Sequence, residues 1–160
     1  MSQIKFCLLP IVLLVSMLHA NDTLAESQGQ HARDTAIRDG RFIFHAQWAV
    51  SYNGNRELLV PTYAFELTSD SIRCYLPFFG RTYTPPKDFR FMTIDFISTK
   101  FSYQPTIRKG GGWDISINPA DVPDVRSLSF DISKRGWATL YIQSAGRDMM
   151  SYEGTVEAIE

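Results

Sequence analysis

"RFIFHAQWAV", Arg41 to Val50, alternates with a period of two: Phe42, Phe44, Ala46, Trp48 and Val50 are apolar, and Arg41, His45 and Gln47 lie between them. Successive side chains of a strand point to opposite faces, so this pattern predicts a strand with one face on a core and the other toward water. Asn53-Gly54 comes next as a turn signal. The same theme continues in "PTYAFELT", where Tyr63, Phe65 and Leu67 share a side, and then in "IRCYLPF" beyond a short turn at Thr68–Ser71. "FMTIDFIST", "KFSYQPTIR", "GWDISIN", "SLSFDIS", "WATLYIQS" and "MMSYEGTVEAI" complete the series, with turns expected at Gly110–Gly112, Asn118-Pro119 and Lys134–Gly136. Short strands rich in β-branched and aromatic residues, separated by turn signals, predict an all-β domain. About eight strands form one antiparallel β-sandwich or flattened β-barrel.

The N-terminus sets the expected compartment. One lysine, Lys5, precedes a mostly apolar run from Phe6 to Leu18, and small residues succeed it, with cleavage expected after Ala20 or Ala25. That is the layout of a secretory signal peptide, and the run is too short to span a bilayer comfortably. Cys7 sits at the start of the apolar run rather than at its end, which does not fit the lipid-attachment pattern, and it reads as filler of that run. The expected organisation is a signal peptide over 1–20, a polar tail with a short helix over 21–39, and one β-domain over 40–160. In the tail, Ala32, Ala36 and Ile37 have helical spacing and Gly40 is the candidate stop. The mature chain is expected in the periplasm, as a monomer, and not as an integral membrane protein.

Loss of Lys5 with the leader leaves 15 basic against 17 acidic residues, interspersed, so no basic stripe marks a nucleic-acid partner. Cys74 is then the only cysteine and shares parity with Ile72, Leu76 and Phe78, which places it on the apolar face as an inert buried thiol. Only His31 and His45 remain after cleavage, without zinc spacing, and no G-x-S-x-G or S-x-x-K sequence exists. Asp114, Asp121 and Asp124 lack the dense spacing of a calcium loop, and Pro119 and Pro123 mark plain turns there. No catalytic residue, metal ligand or cofactor is assigned.

The unusual segment is "YLPFFGRTYTPP", Tyr75 to Pro86. If the strand stays regular past Pro77, Tyr75, Phe79, Arg81 and Tyr83 share the outward face, and tyrosine and arginine are enriched at binding hot spots. The alternative is that Pro77 or Gly80 breaks the register and the rings serve as scaffold. Two further candidates are modification sites: Asp34-Thr35-Ala36 and Asp70-Ser71-Ile72 are similar to an O-glycan acceptor triplet, and Ser71 is favoured because its turn should be exposed.

The set "RFIFHAQWAV", "YLPFFGRTYTPP", "GGGWDISIN" and "GWATLYIQSAGRDMMSYEGTV" resembles the domain of unknown function 4251 family of Gram-negative envelope proteins, over about residues 35 to 158. The resemblance implies a compact periplasmic β-domain and brings no catalytic residue. Three functions are compatible with the residues. The first is a non-enzymatic module that binds an envelope protein or glycan. The second is a carrier of a small apolar ligand inside a barrel, and the third is a hydrolase whose carboxylates the sequence does not reveal.

Overall fold

The computed structural model describes residues 28–83 and 92–159. The expected signal peptide, Cys7 and both cleavage sites lie outside the described residues. A helix, α1, occupies residues 28–38. Ten strands come after it among the described residues: β1 Phe42–Val50, β2 Arg56–Leu58, β3 Ala64–Leu67, β4 Ile72–Pro77, β5 Thr93–Ser98, β6 Phe101–Ile107, β7 Trp113–Pro119, β8 Val125–Ile132, β9 Trp137–Ser144 and β10 Met150–Ala158. They pair antiparallel in one sheet of order β5-β4-β3-β1-β10-β9-β8-β7-β6, with β2 added to β1. The sheet curls into a nearly closed barrel, which selects the barrel over the sandwich. Nine of the ten strands fall in segments expected from the sequence. The tenth, β2, has all three residues exposed, so burial leaves no alternation to read. Asn118 and Pro119, expected between strands, close β7 instead, with Pro119 opposite Phe101.

The inward face is apolar and contiguous. Phe130 of β8 packs its ring against Phe42, Phe44 and Phe65 at centroid distances of 5.6, 5.4 and 5.2 Å, in edge-on geometries favoured by aromatic quadrupoles. Cys74 is fully buried in this core, and burial pushes its thiol far above the ordinary range, so it packs as a small hydrophobe.

The alternation of β1 does not run its full length. Ala46 stands opposite Gly154 and Trp48 opposite Glu153, so Gln47 is an extra residue, a β-bulge. Beyond it the faces exchange. Ala49 is buried, whereas Trp48 and Val50, expected inward, lie half-buried on the outer side. There the Arg56 guanidinium sits 4.3 Å over the Trp48 ring and ion-pairs with Glu153. The bulge depends on Gly154: a Cβ at that position would lie 1.9 Å from the His45 carbonyl oxygen.

Helix α1 is anchored to the barrel rather than frayed over this span. Ile37 is fully buried in the core, the Trp113 indole N–H donates to Asp34 at 2.8 Å, and the Tyr103 hydroxyl donates to the Ile37 carbonyl. Gly40, at φ 66°, ends it as expected, with the Arg41 N–H returning to the Ala36 carbonyl at 2.8 Å.

Candidate functional site

Strand β4 keeps its period as far as Leu76: Ile72, Cys74 and Leu76 point inward, Arg73 and Tyr75 outward. Then Pro77 and Phe78 are both buried, and the strand ends at Pro77. Two contacts hold the break. The buried Tyr152 hydroxyl donates to the Pro77 carbonyl at 2.7 Å, and the Phe78 N–H donates to Met92 O at 2.8 Å. The regular outward run expected from Tyr75 to Tyr83 is therefore interrupted, because Pro77 and Phe78 turn in together. Phe79 nevertheless emerges on the outside while Phe78 stays in the core.

Beyond the break the chain forms a loop clamped by Asp148. The Asp148 backbone N–H donates to the Arg81 carbonyl at 2.9 Å, and its carboxylate accepts from the Arg81 N–H at 2.9 Å and from the Tyr83 hydroxyl. The Tyr83 N–H adds a bond to Gly146 O at 2.8 Å. Phe78 packs tightly beneath: a Cβ on Gly80 would fall 2.7 Å from its ring, and the Arg147 guanidinium lies 5.4 Å from the ring centroid. The phenol–carboxylate bond lowers the Asp148 pKa, with the Arg81 N–H adding to it, and raises that of Tyr83.

Phe79, Arg81 and Tyr83 then line a groove of about 360 Å³ together with Ser51, Tyr52, Asn53, Gly80 and Asp148. Tyr52 is carried by the Asn53-Gly54 turn, where Gly54 takes φ 84° and its N–H returns to Ser51 O at 2.9 Å. The three rings are open to solvent, at 78% for Tyr52, 49% for Phe79 and 72% for Tyr83. Arg81 is exposed, and among the described residues its guanidinium makes no ion pair. Tyr75 is not part of this groove: it is stacked on Tyr63 with centroids 5.4 Å apart. Sequence pattern does not reveal Tyr52 or Asp148 as members of the site. The turn signal at Asn53-Gly54 is a pointer to Tyr52, but nothing near Asp148 marks it as the clamp of a loop 67 residues earlier.

The geometry thus gathers three of the four expected residues, in a chain that a family model describes. Residues 25–156 match the model for the domain of unknown function DUF4251. The chain belongs to the DUF4251 family. A solved structure of a DUF4251 protein from Bacteroides eggerthii superposes with a TM-score of 0.58 at 14% identity, over 83% of this chain and 91% of that one. At that identity the likeness shows the fold alone. A comparison with curated proteins found no match.

Elsewhere in this DUF4251 domain the polar candidates are dispersed. His31 is exposed on α1, and His45 faces outward, 3.6 Å from Glu157. Asp114 lies against Arg108, whereas Asp121 fastens the β5–β6 turn by accepting from the Ser98 hydroxyl and, at 2.9 Å, the Thr99 N–H. Among the described residues no group of three His, Cys, Asp or Glu side chains is placed to hold a metal ion, and no helix is long and apolar enough to cross a membrane. Of the two glycan-acceptor candidates, Thr35 is exposed on α1. Ser71, expected in an exposed turn, is half-buried with its hydroxyl 2.8 Å from that of Thr68.

Proposed function

We propose that this DUF4251 domain is an exported, non-enzymatic binding module of the cell envelope. In this reading it is monomeric in the periplasm after loss of its leader, and takes an envelope protein or glycan in the groove of Phe79, Arg81 and Tyr83. The single observation that carries this reading is the pairing of solvent-open rings with an exposed guanidinium, without an ion pair among the described residues, on a loop whose backbone is already fixed by Asp148. Rigid aromatics and arginine concentrate binding energy, and a preorganised loop loses little entropy on association. Asp148 is a positioning residue here. Both of its carboxylate oxygens already accept hydrogen bonds, one from Tyr83 and one from Arg81, which argues for scaffold rather than a hydrolytic base. The carrier alternative draws no support from the level of Phe130, where the barrel interior is filled by four packed rings.

The test is capture from an envelope extract with the mature chain, comparing wild type with Arg81→Ala and Phe79→Ala after their melting temperatures have been matched. Partners retained by wild type and lost by both variants are expected. An unchanged set of partners would remove the groove from the function.

A further inference from the structure

The outward face of β6–β9 carries a second depression, of about 440 Å³, and its origin is register. Gln104, Ser116, Ser129 and Tyr141 stand opposite one another across the four strands. The two central positions are serines, so the floor drops between the longer side chains at either end. Those ends are three strand spacings apart, about 14 Å. The next outward row places Asp114 opposite Asp131, and Arg108 reaches both. Its guanidinium donates to Asp131 and to the carbonyls of Trp113 and Ile132 at 3.2 and 2.9 Å, while Nε lies 3.3 Å from Asp114 without hydrogen-bond alignment. Each carboxylate therefore keeps one oxygen that Arg108 does not contact, and both side chains are more than half exposed.

We propose that this trough binds a neutral saccharide of one or two rings. The chemistry of the walls selects that class. Ser116, Ser129 and Gln104 offer hydroxyl and amide groups that make no hydrogen bond to other described residues. The free oxygens of Asp114 and Asp131 accept from adjacent hydroxyls, and they are held in place beforehand by Arg108. Tyr141, 39% exposed, supplies a flat apolar wall for the C–H face of a sugar ring together with a phenol for its edge. Two carboxylates against one guanidinium disfavour an anionic ligand, and a floor of serines disfavours a purely apolar one. The trough lies on other strands from the Phe79–Arg81–Tyr83 groove, so a sugar bound here is independent of any partner bound there.

Amide NMR titration with N-acetylglucosamine, galactose, maltose and, as the anionic counterpart, glucuronate tests it on the mature chain. Shifts are expected for at least one neutral sugar, centred on residues 104–106, 114–116, 129–131 and 139–141. Tyr141→Ala should weaken binding about tenfold or more, equivalent to about 1.4 kcal/mol. Ser129→Leu, which fills the floor from an exposed position, should abolish it with the melting temperature unchanged. Absence of shifts at millimolar sugar, shifts mapping to residues 51–53 and 79–83, preference for glucuronate, or unaltered binding by Ser129→Leu would each overturn the assignment.

Discussion

Where β7 pairs with β8, over Trp113–Ile117 and Leu128–Ile132, the inward and outward faces stay in step: Trp113, Ile115 and Ile117 meet Ile132, Phe130 and Leu128 across the ladder. Between Ala46 and Tyr83 the chain loses that period twice, once at Gln47 and once at Pro77-Phe78. That regular stretch turns serine and aspartate outward, Ser116 and Ser129 beside Asp114 and Asp131. The interrupted half turns large rings outward: Trp48 under Arg56, then Phe79 and Tyr83. Both interruptions rest on a glycine where another group passes too close for a side chain, Gly154 against His45 and Gly80 against Phe78. Bulges and strand ends re-aim side chains: the one at Gln47 moves Trp48 from the core side to the solvent side, and the one at Pro77 turns the proline inward while Phe79 keeps its outward place.

The strongest challenge to that contrast is the pair Phe78 and Phe79. Phe78→Ala removes a buried ring and leaves a cavity, and should lower unfolding free energy by about 3–5 kcal/mol. Phe79→Ala truncates a ring that is half open to water and should cost about 0.5 kcal/mol or less. Urea denaturation of both variants decides it; equal losses would mean that the loop folds both rings into the scaffold.

Gly154→Ala comes next. A methyl 1.9 Å from a backbone carbonyl cannot be accommodated by a side-chain rotation, so the β1–β10 ladder must shift, at about 1–3 kcal/mol. In the regular half, Ser129→Ala should stay within about 0.5 kcal/mol, since nothing there depends on the hydroxyl for folding. A neutral Gly154→Ala variant would show that the bulge is not held by that glycine. Gly80→Ala should be milder, about 1 kcal/mol, because the nearest atom is the far end of the Phe78 ring, which can tilt. Melting temperature measures its cost, and loss of Phe79–Tyr83 amide shifts relative to wild type would locate the strain.

The regular half is legible in the sequence because a ladder with one buried face writes its burial directly into alternate residues. Alternation puts Cys74, Phe78 and Phe79 on their correct sides, and Gly40 and Asn53-Gly54 mark a helix end and a turn. It misplaces Trp48 and Val50, because a bulge is one residue long and leaves no compositional trace. The parity of Tyr75 with Phe79, Arg81 and Tyr83 is apparent only, since it counts through a strand that ends at Pro77. Asp148 is illegible for a further reason: it acts through the fold on a loop distant in sequence, and pattern within a window carries no such information.

The smallest effect concerns the clamp itself. In the folded chain the Tyr83 hydroxyl and the Arg81 N–H stabilise ionised Asp148, so its pKa lies below the ordinary 3.8. The stabilisation is therefore present above pH 3.8 and is lost as pH falls through the lowered folded value. Tyr83 runs the other way. The carboxylate beside it raises its pKa above the ordinary 10.0, so its contribution is complete below pH 10 and is lost as pH rises through the folded value. Tyr83 is exposed and Asp148 half-buried, and solvent screens the pair, so global stability should change little across either window. Tyrosine NMR with a single labelled ring reports the local event. Tyr83 should ionise above pH 10 in the wild type and return toward 10 in Asp148→Asn, where the acceptor is neutral. In Asp148→Ala, which has no side-chain acceptor, the Arg81 amide should lose its hydrogen-bonded shift at neutral pH. Identical Tyr83 titrations in the wild type and Asp148→Asn would mean that Asp148 does not hold the loop, and the groove would lose the fixed backbone that separates it from an ordinary surface turn.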